Sequence, residues 1–230
     1  MVPQNFMTAG AIIYLTVSLV SMSTVSHASE TNGGATASSS TDSKAPPALA
    51  GNVESSNCKM TIERMVNGTM TTVPVDPPPA KMKIYQGDTI KTAGPTGCKA
   101  KMILGDGSDL VLNENATLTV DKYVYAGPKG TGDVALTYAV GQVAWVTGNQ
   151  NPDSYKITTP IAAIGIRGTA FTISTENAGK ENELENIVVT SGSVFVTSRM
   201  TARLSIVKAG QKVRITASDG KVSKPAFVKL

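Results

Sequence analysis

From Lys81 onward the sequence is a succession of short runs in which apolar and polar residues alternate, broken by turn residues. No stretch of ten or more residues has the spacing of an amphipathic helix. This absence constrains the fold more than any other feature. Lys99–Leu104 runs into Gly105-Asp106-Gly107-Ser108, then Asp109–Asn113, then Ala116–Tyr125. Val134–Val146, Ile157–Thr159, Ile161–Ile166, Thr169–Ser174, Asn186–Thr190, Ser193–Thr197, Ala202–Lys208 and Lys212–Thr216 continue the pattern. Strands recurring every 8–12 residues or so predict an all-β domain. Two forms suit it: irregular stacked β-coils of solenoid type, or a twisted β-sandwich. Three turn-then-strand segments begin at Gly141, Gly192 and Gly210. Their spacing is unequal, so a solenoid of fixed repeat length is not expected.

The first part of the chain reads differently. Ala9 to Val20 is an apolar run too short for the roughly 30 Å of a bilayer core, and Ser26-His27-Ala28 is a small-x-small cleavage site. Residues 1–28 therefore read as a signal peptide cut between Ala28 and Ser29, with export to the periplasm, the cell surface or the medium, and no transmembrane helix in the mature chain. Residues 29–57 are rich in Ser, Thr, Gly and Pro and read as a disordered linker. Residues 58–80 read as a β-hairpin with a Pro-rich connection. Met60–Val66 and Thr69–Val73 flank Asn67-Gly68, a pair suited to a type I′ turn, and Pro77-Pro78-Pro79 cannot donate to a ladder. Residues 81–230 are the β-domain.

Composition excludes several chemistries. His27 is the only histidine and leaves with the leader, so His-based triads and His-ligated metals are not expected. Cys58 and Cys98 are the only cysteines. In an exported chain they predict one disulfide, whose loop of about 40 residues is worth near 4 kcal/mol by chain entropy. Gly105-Asp106-Gly107-Ser108 looks like a calcium loop, but further spaced oxygen ligands are missing. The better reading is a turn in which Asp106 accepts backbone N–H bonds, with Asp109 beside it. No metal, cofactor or catalytic residue is expected, and the chain reads as a non-enzyme. Trp145 alternates with Val143 and reads as core. Tyr123, Tyr125 and Tyr138 read either as half-buried strand residues or as a sugar-stacking row.

Charge is uneven. Residues 199–230 hold Arg199, Arg203, Lys208, Lys212, Arg214, Lys221, Lys224 and Lys229 against Asp219 alone, whereas Glu176, Glu181, Glu183 and Glu185 crowd what reads as an acidic loop. The basic strip suits an anionic glycan or lipid surface or an acidic partner, through contacts that salt weakens. The plainer reading is solvated strand faces that protect edges. Nucleic acid is not expected, because basic and aromatic residues do not interleave.

Three segments resemble the FecR domain family. They are Gln86-Gly-Asp-Thr-Ile-Lys-Thr92 leading to Ala100–Ser108; Leu118–Tyr125 with Thr131–Leu136 and Gly141–Gly148; and Ile157-Thr-Thr-Pro-Ile-Ala-Ala-Ile-Gly-Ile-Arg-Gly-Thr-Ala-Phe171. Val188–Val196 and Ala209–Val213 close the match, which spans about 84–216. Thr159, Pro160, Arg167, Gly168, Thr169 and Phe171 form its most specific motif. The resemblance implies an envelope-located all-β module. In signalling members a cytoplasmic anti-sigma arm and one transmembrane helix precede this module, which touches an outer-membrane receptor. Only a leader and a Ser-rich tether precede it here, so a free-standing exported protein is expected, meeting an envelope protein as partner. Ile161, Ile164 and Ile166 read as core. Arg167 reads as a guanidinium satisfying strand-end carbonyls or a carboxylate, or as an anion contact.

Overall fold

The computed structural model describes residues 46–75 and 81–228. The expected leader, the Ala28–Ser29 junction and the tether up to residue 45 lie outside the described residues, as do 76–80 within the Pro-rich connection.

The described residues form sixteen strands in one hydrogen-bonded sheet, with a single 3-10 turn at Pro152–Ser154. The strands are β1 (Leu49–Ser56), β2 (Lys59–Val66), β3 (Thr69–Val75), β4 (Met82–Tyr85) and β5 (Thr89–Ala93). Next come β6 (Lys99–Leu104), β7 (Asp109–Asn113), β8 (Thr117–Val124), β9 (Asp133–Val140), β10 (Gln142–Val146) and β11 (Tyr155–Thr158). The last are β12 (Ala162–Glu176), β13 (Leu184–Ser198), β14 (Leu204–Lys208), β15 (Gln211–Thr216) and β16 (Ala226–Phe227). Among the described residues no helix is long and apolar enough to cross a membrane.

The sheet is built around two 15-residue strands, β12 and β13, which pair along their length. One edge of β12 is shared. Its first half pairs with β11 (Gly165 opposite Lys156) and its second half with β10 (Ala170 opposite Val146). The sheet therefore forks. One arm runs β11-β9-β8-β5-β2-β3 and the other β10-β7-β6-β1-β4. All pairs are antiparallel except β9 with β11. Inward side chains from both arms merge in one core. Trp145 of β10 packs edge-on to Tyr155 of β11, centroids 5.8 Å apart, and against Phe171 of β12 at 6.1 Å. These rings bury large apolar areas where the arms converge.

One boundary is corrected. Residues 49–56, read as linker, are strand β1, paired on both edges with β4 and β6, and Ala50 and Val53 are fully buried. The composition misled because this strand is held through its backbone. Gly51 lies so close to the Ile103 carbonyl that a Cβ would collide with it, so a small residue is a packing requirement there.

The hairpin of β2 and β3 turns at Asn67 and Gly68, with φ of 50° and 79°, both left-handed as a type I′ turn requires. Cys58 and Cys98 are disulfide-bonded, Cα atoms 5.1 Å apart, tying the start of β2 to the turn before β6.

Candidate functional site

The motif Ile166-Arg167-Gly168-Thr169 sits at the fork, where β12 exchanges β11 for β10. The register between β12 and β13 shifts between Arg167 and Phe171. Gly168 takes φ +57°, and opposite it Gly192 (φ +71°) approaches the Gly168 carbonyl so closely that a Cβ would clash. Thr169 fastens both sides of this bulge. Its hydroxyl donates to Ser193 O at 2.8 Å, and its amide donates to Thr147 Oγ1 at 2.9 Å. Phe171 is buried against Trp145. Ile164 and Ile166 are buried, and Ile161 is partly buried against the core.

Arg167 is exposed, and no hydrogen bond or ion pair holds it among the described residues. The carbonyl-satisfying role expected of it belongs instead to Arg199, whose Nη1 donates to Thr159 O at 3.0 Å and Pro160 O at 3.2 Å. The reason is geometric. Arg167 projects from the outer face of β12, whereas Arg199 follows the end of β13 beside the turn that links β11 to β12.

That turn overlies a buried carboxylate. Glu185 is fully buried, not part of an exposed acidic loop, because it shares the inward face of β13 with Ile187 and Val189. Glu183 is also buried and accepts a 2.7 Å bond from the Gly179 amide. Thr159 Oγ1 lies 2.7 Å from Glu185 Oε2 and 3.2 Å from Ala162 O, and accepts from the Ala162 amide at 2.8 Å. A hydroxyl has one proton. It can go to Glu185 Oε2 or to Ala162 O but not to both at once, and Glu185 Oε1 is buried with no hydrogen-bond partner among the described residues. Burial pushes the Glu185 carboxyl up to about 7; the Thr159 hydrogen bond opposes this, Glu183 adds to it, and Arg199 opposes it more weakly. A shallow groove of 330 Å³ lies beside the turn, lined by Pro160, Ile161, Arg199, Met200, Thr216, Ala217 and Gly220.

Other sequence candidates separate. Asp106 is fully buried: Oδ1 accepts from the Ser108 amide at 3.0 Å, and Oδ2 from Ser108 Oγ at 2.9 Å and Tyr155 OH at 2.6 Å. Asp109 pairs with Lys101 at 3.0 Å on the surface. The two aspartates thus serve different partners. The sugar-stacking row is also corrected. Tyr123 and Tyr138 are buried, and only Tyr125 is exposed. Burial raises the phenols of Tyr123, Tyr138 and Tyr155.

Sequence reasoning missed Asp88. It is fully buried, chelated by Arg64 Nε at 2.7 Å and Nη2 at 2.6 Å, and bonded to the Tyr85 amide at 2.8 Å. Arg64 also lies 4.5 Å over the Tyr85 ring, and its guanidinium is raised chiefly by the bond to Asp88. The Gln86-Gly-Asp turn was the available signal. For Glu185 it was the alternation Glu185, Ile187, Val189.

The basic strip is exposed throughout: Arg199, Arg203, Lys208, Lys212, Arg214, Lys221 and Lys224 all face solvent. Pairing aligns outward residues of β12, β13 and β14 in three rows: Arg167–Ser193–Lys208, Gly165–Phe195–Ile206 and Ala163–Thr197–Leu204. Lys212 and Arg214 continue the outward face along β15, and Arg214 donates to Asn186 Oδ1 at 3.1 Å. The fold thus brings Arg167 of the motif beside the strip, around an apolar centre in which Leu204 and Ile206 are exposed.

The described residues thus form a forked, nearly all-β sheet jointed at Ile166-Arg167-Gly168-Thr169. Residues 88–195 match the family model described as FecR protein, and the chain therefore carries a domain of the FecR family. No curated protein sequence matches the chain. Similar solved structures include two crystal structures of a "putative anti-sigma factor" from Parabacteroides distasonis. One, at 1.65 Å resolution, is 15% identical with a TM-score of 0.44, covering 59% of this chain and 58% of that one. The other, at 2.50 Å, is 14% identical with a TM-score of 0.46, covering 60% of each. This chain thus spans about three-fifths of their length.

Proposed function

We propose that the protein is a non-catalytic FecR-type binding and signalling module, exported to the periplasm or cell surface, that docks a protein partner of the envelope. The observation that carries this reading is the outward face beside the FecR motif. There the exposed apolar residues Leu204 and Ile206 lie beside the Arg167–Ser193–Lys208 row, whose two cations are in no ion pair among the described residues. A stable protein contact needs an apolar centre with a charged rim, and the buried hydrogen-bonded residues of the motif itself serve as its rigid support. The disulfide fits an oxidising compartment.

A second reading rests on the same cations. An exported surface or matrix protein could use the strip to adsorb to anionic glycan or lipid. Salt separates the two. Affinity capture from solubilised envelope on the immobilised chain, washed at low and then high salt, is the test. A defined protein retained at high salt supports the module. Retention of glycan or lipid alone, lost at high salt, favours adsorption and ends the signalling reading.

A further inference from the structure

We infer that β3 is a dimerisation edge, which pairs antiparallel with β3 of a second copy in a register centred on Thr71. The inference goes beyond the partner-docking reading and does not depend on it: β3 ends one arm of the sheet, whereas the face beside the motif lies at the fork. β3 pairs with β2 alone. Only Asn67 and Gly68 separate the two strands, so Val66 and Thr69 beside the turn form a hydrogen-bonded pair, and such pairs recur at every second position. The N–H and C=O groups of Thr69, Thr71 and Val73 therefore face β2. Those of Met70 and Thr72 point away from the sheet, and Pro74 offers a C=O there but no N–H.

The edge's own residues select the occupant. No charged residue lies between Met65 and Val75. The open edges of β4 and β14 carry Lys83 and Lys208, as edges guarded against self-pairing do. β3 has no such guard, and Met65, Val66 and Met70 are exposed around it. In a register centred on Thr71, Met70 of each copy exchanges both backbone bonds with the second copy's Thr72, and every outward group of these residues is matched. Centring on Thr72 would set Met70 against Pro74 and leave the Met70 carbonyl without a donor. Side chains agree with the Thr71 register. Alternation puts Met65 and Met70 on one face with Glu63 and Thr72, and Val66, Thr69, Thr71 and Val73 on the other. On the first face the two Met70 residues become diagonal neighbours about 7–8 Å apart, within reach of long side chains, each flanked by its own Met65. On the second, Thr69 with Val66 beside it meets the second copy's Val73. Glu63 is paired with Lys91 and Arg64 with Asp88, so no unpaired charge enters the contact.

The test is sedimentation of the full chain with residue-resolved amide exchange. So short a ladder makes a weak dimer, which we expect to form between about 10 µM and 1 mM. Exchange at Met70 and Thr72 should slow at least about tenfold across that range, with Thr71 and Val73, already bonded to β2, unchanged. Thr72→Pro removes an outward N–H, as Pro74 already does in the same strand, and should leave a monomer. Met70→Lys and Met70→Glu each alter one exposed side chain; either alone should weaken the dimer, and an equal mixture should restore it. Thr71→Cys places two sulfurs at a directly opposed pair, within disulfide reach, and should cross-link on oxidation. Thr69→Cys, whose sulfurs would lie four residues apart along the ladder, should not. A monomer at every concentration overturns the inference. So does a dimer that survives Thr72→Pro, a mixture no stronger than its components, or cross-linking equal in the two cysteine variants.

Discussion

At the scale of single residues, two buried carboxylates have different partners. Asp88 is held by a bidentate guanidinium, and removing it strands Arg64 without its counter-charge. Asp88→Ala should cost about 3 kcal/mol in urea unfolding, as for other broken buried pairs, while Lys101→Met at the half-exposed Lys101–Asp109 pair should cost less, under about 1 kcal/mol. Glu185 has no such partner and holds its proton to about 7, against 4.5 for an ordinary glutamate. Between those values the folded chain binds a proton that the unfolded chain has lost. Stability therefore falls as pH rises from 4.5 to 7, by roughly 3 kcal/mol at about 1.4 kcal/mol per pKa unit. Glu185→Gln keeps a neutral side chain able to donate to Thr159. The difference between the two stability–pH curves should carry the whole slope, and parallel curves would refute the protonated carboxyl.

At the scale of elements, the backbone sets what each glycine tolerates. Gly51 of β1 faces the Ile103 carbonyl, whereas Gly68 in the β2–β3 turn has open space and only a left-handed φ. Gly51→Ala should cost more than 2 kcal/mol, of the order seen for overpacking, and Gly68→Ala about 1 kcal/mol. Thermal unfolding of the two variants measures the contrast. Alternation made most strands legible in the sequence, since inward and outward residues differ in kind. β1 was not legible, because its Ala, Gly, Asn and Ser are packed by their smallness and by ladders on both edges, and neither leaves a hydrophobic signature. The role of Arg199 was hidden likewise: contact with carbonyls some 40 positions upstream depends on a turn whose path no local pattern records.

At the scale of the whole molecule, the all-β class was readable while the fork was not, since a strand's choice of neighbour is not written in its own alternation. Among the candidate sites, the motif was legible and the strip was legible. Their adjacency, Arg167 in one row with Lys208, needed the register of β12, β13 and β14. The Cys58–Cys98 bridge closes a 40-residue separation. Its reduction should lower stability by about 4 kcal/mol, measured by denaturant unfolding with and without reductant; an unchanged midpoint would show that the loop is held by other means.

The shared edge of β12 also governs the order in which the chain can assemble. Synthesis delivers β1 to β11 before the strand that joins them, so two nascent half-sheets wait with unpaired rims until residues 162–176 emerge. Closing such distant pairings is slow, and waiting rims invite wrong partners. A polypeptide of this design depends on being kept apart from its neighbours until its last third arrives, and chains truncated before β12 should accumulate as aggregates.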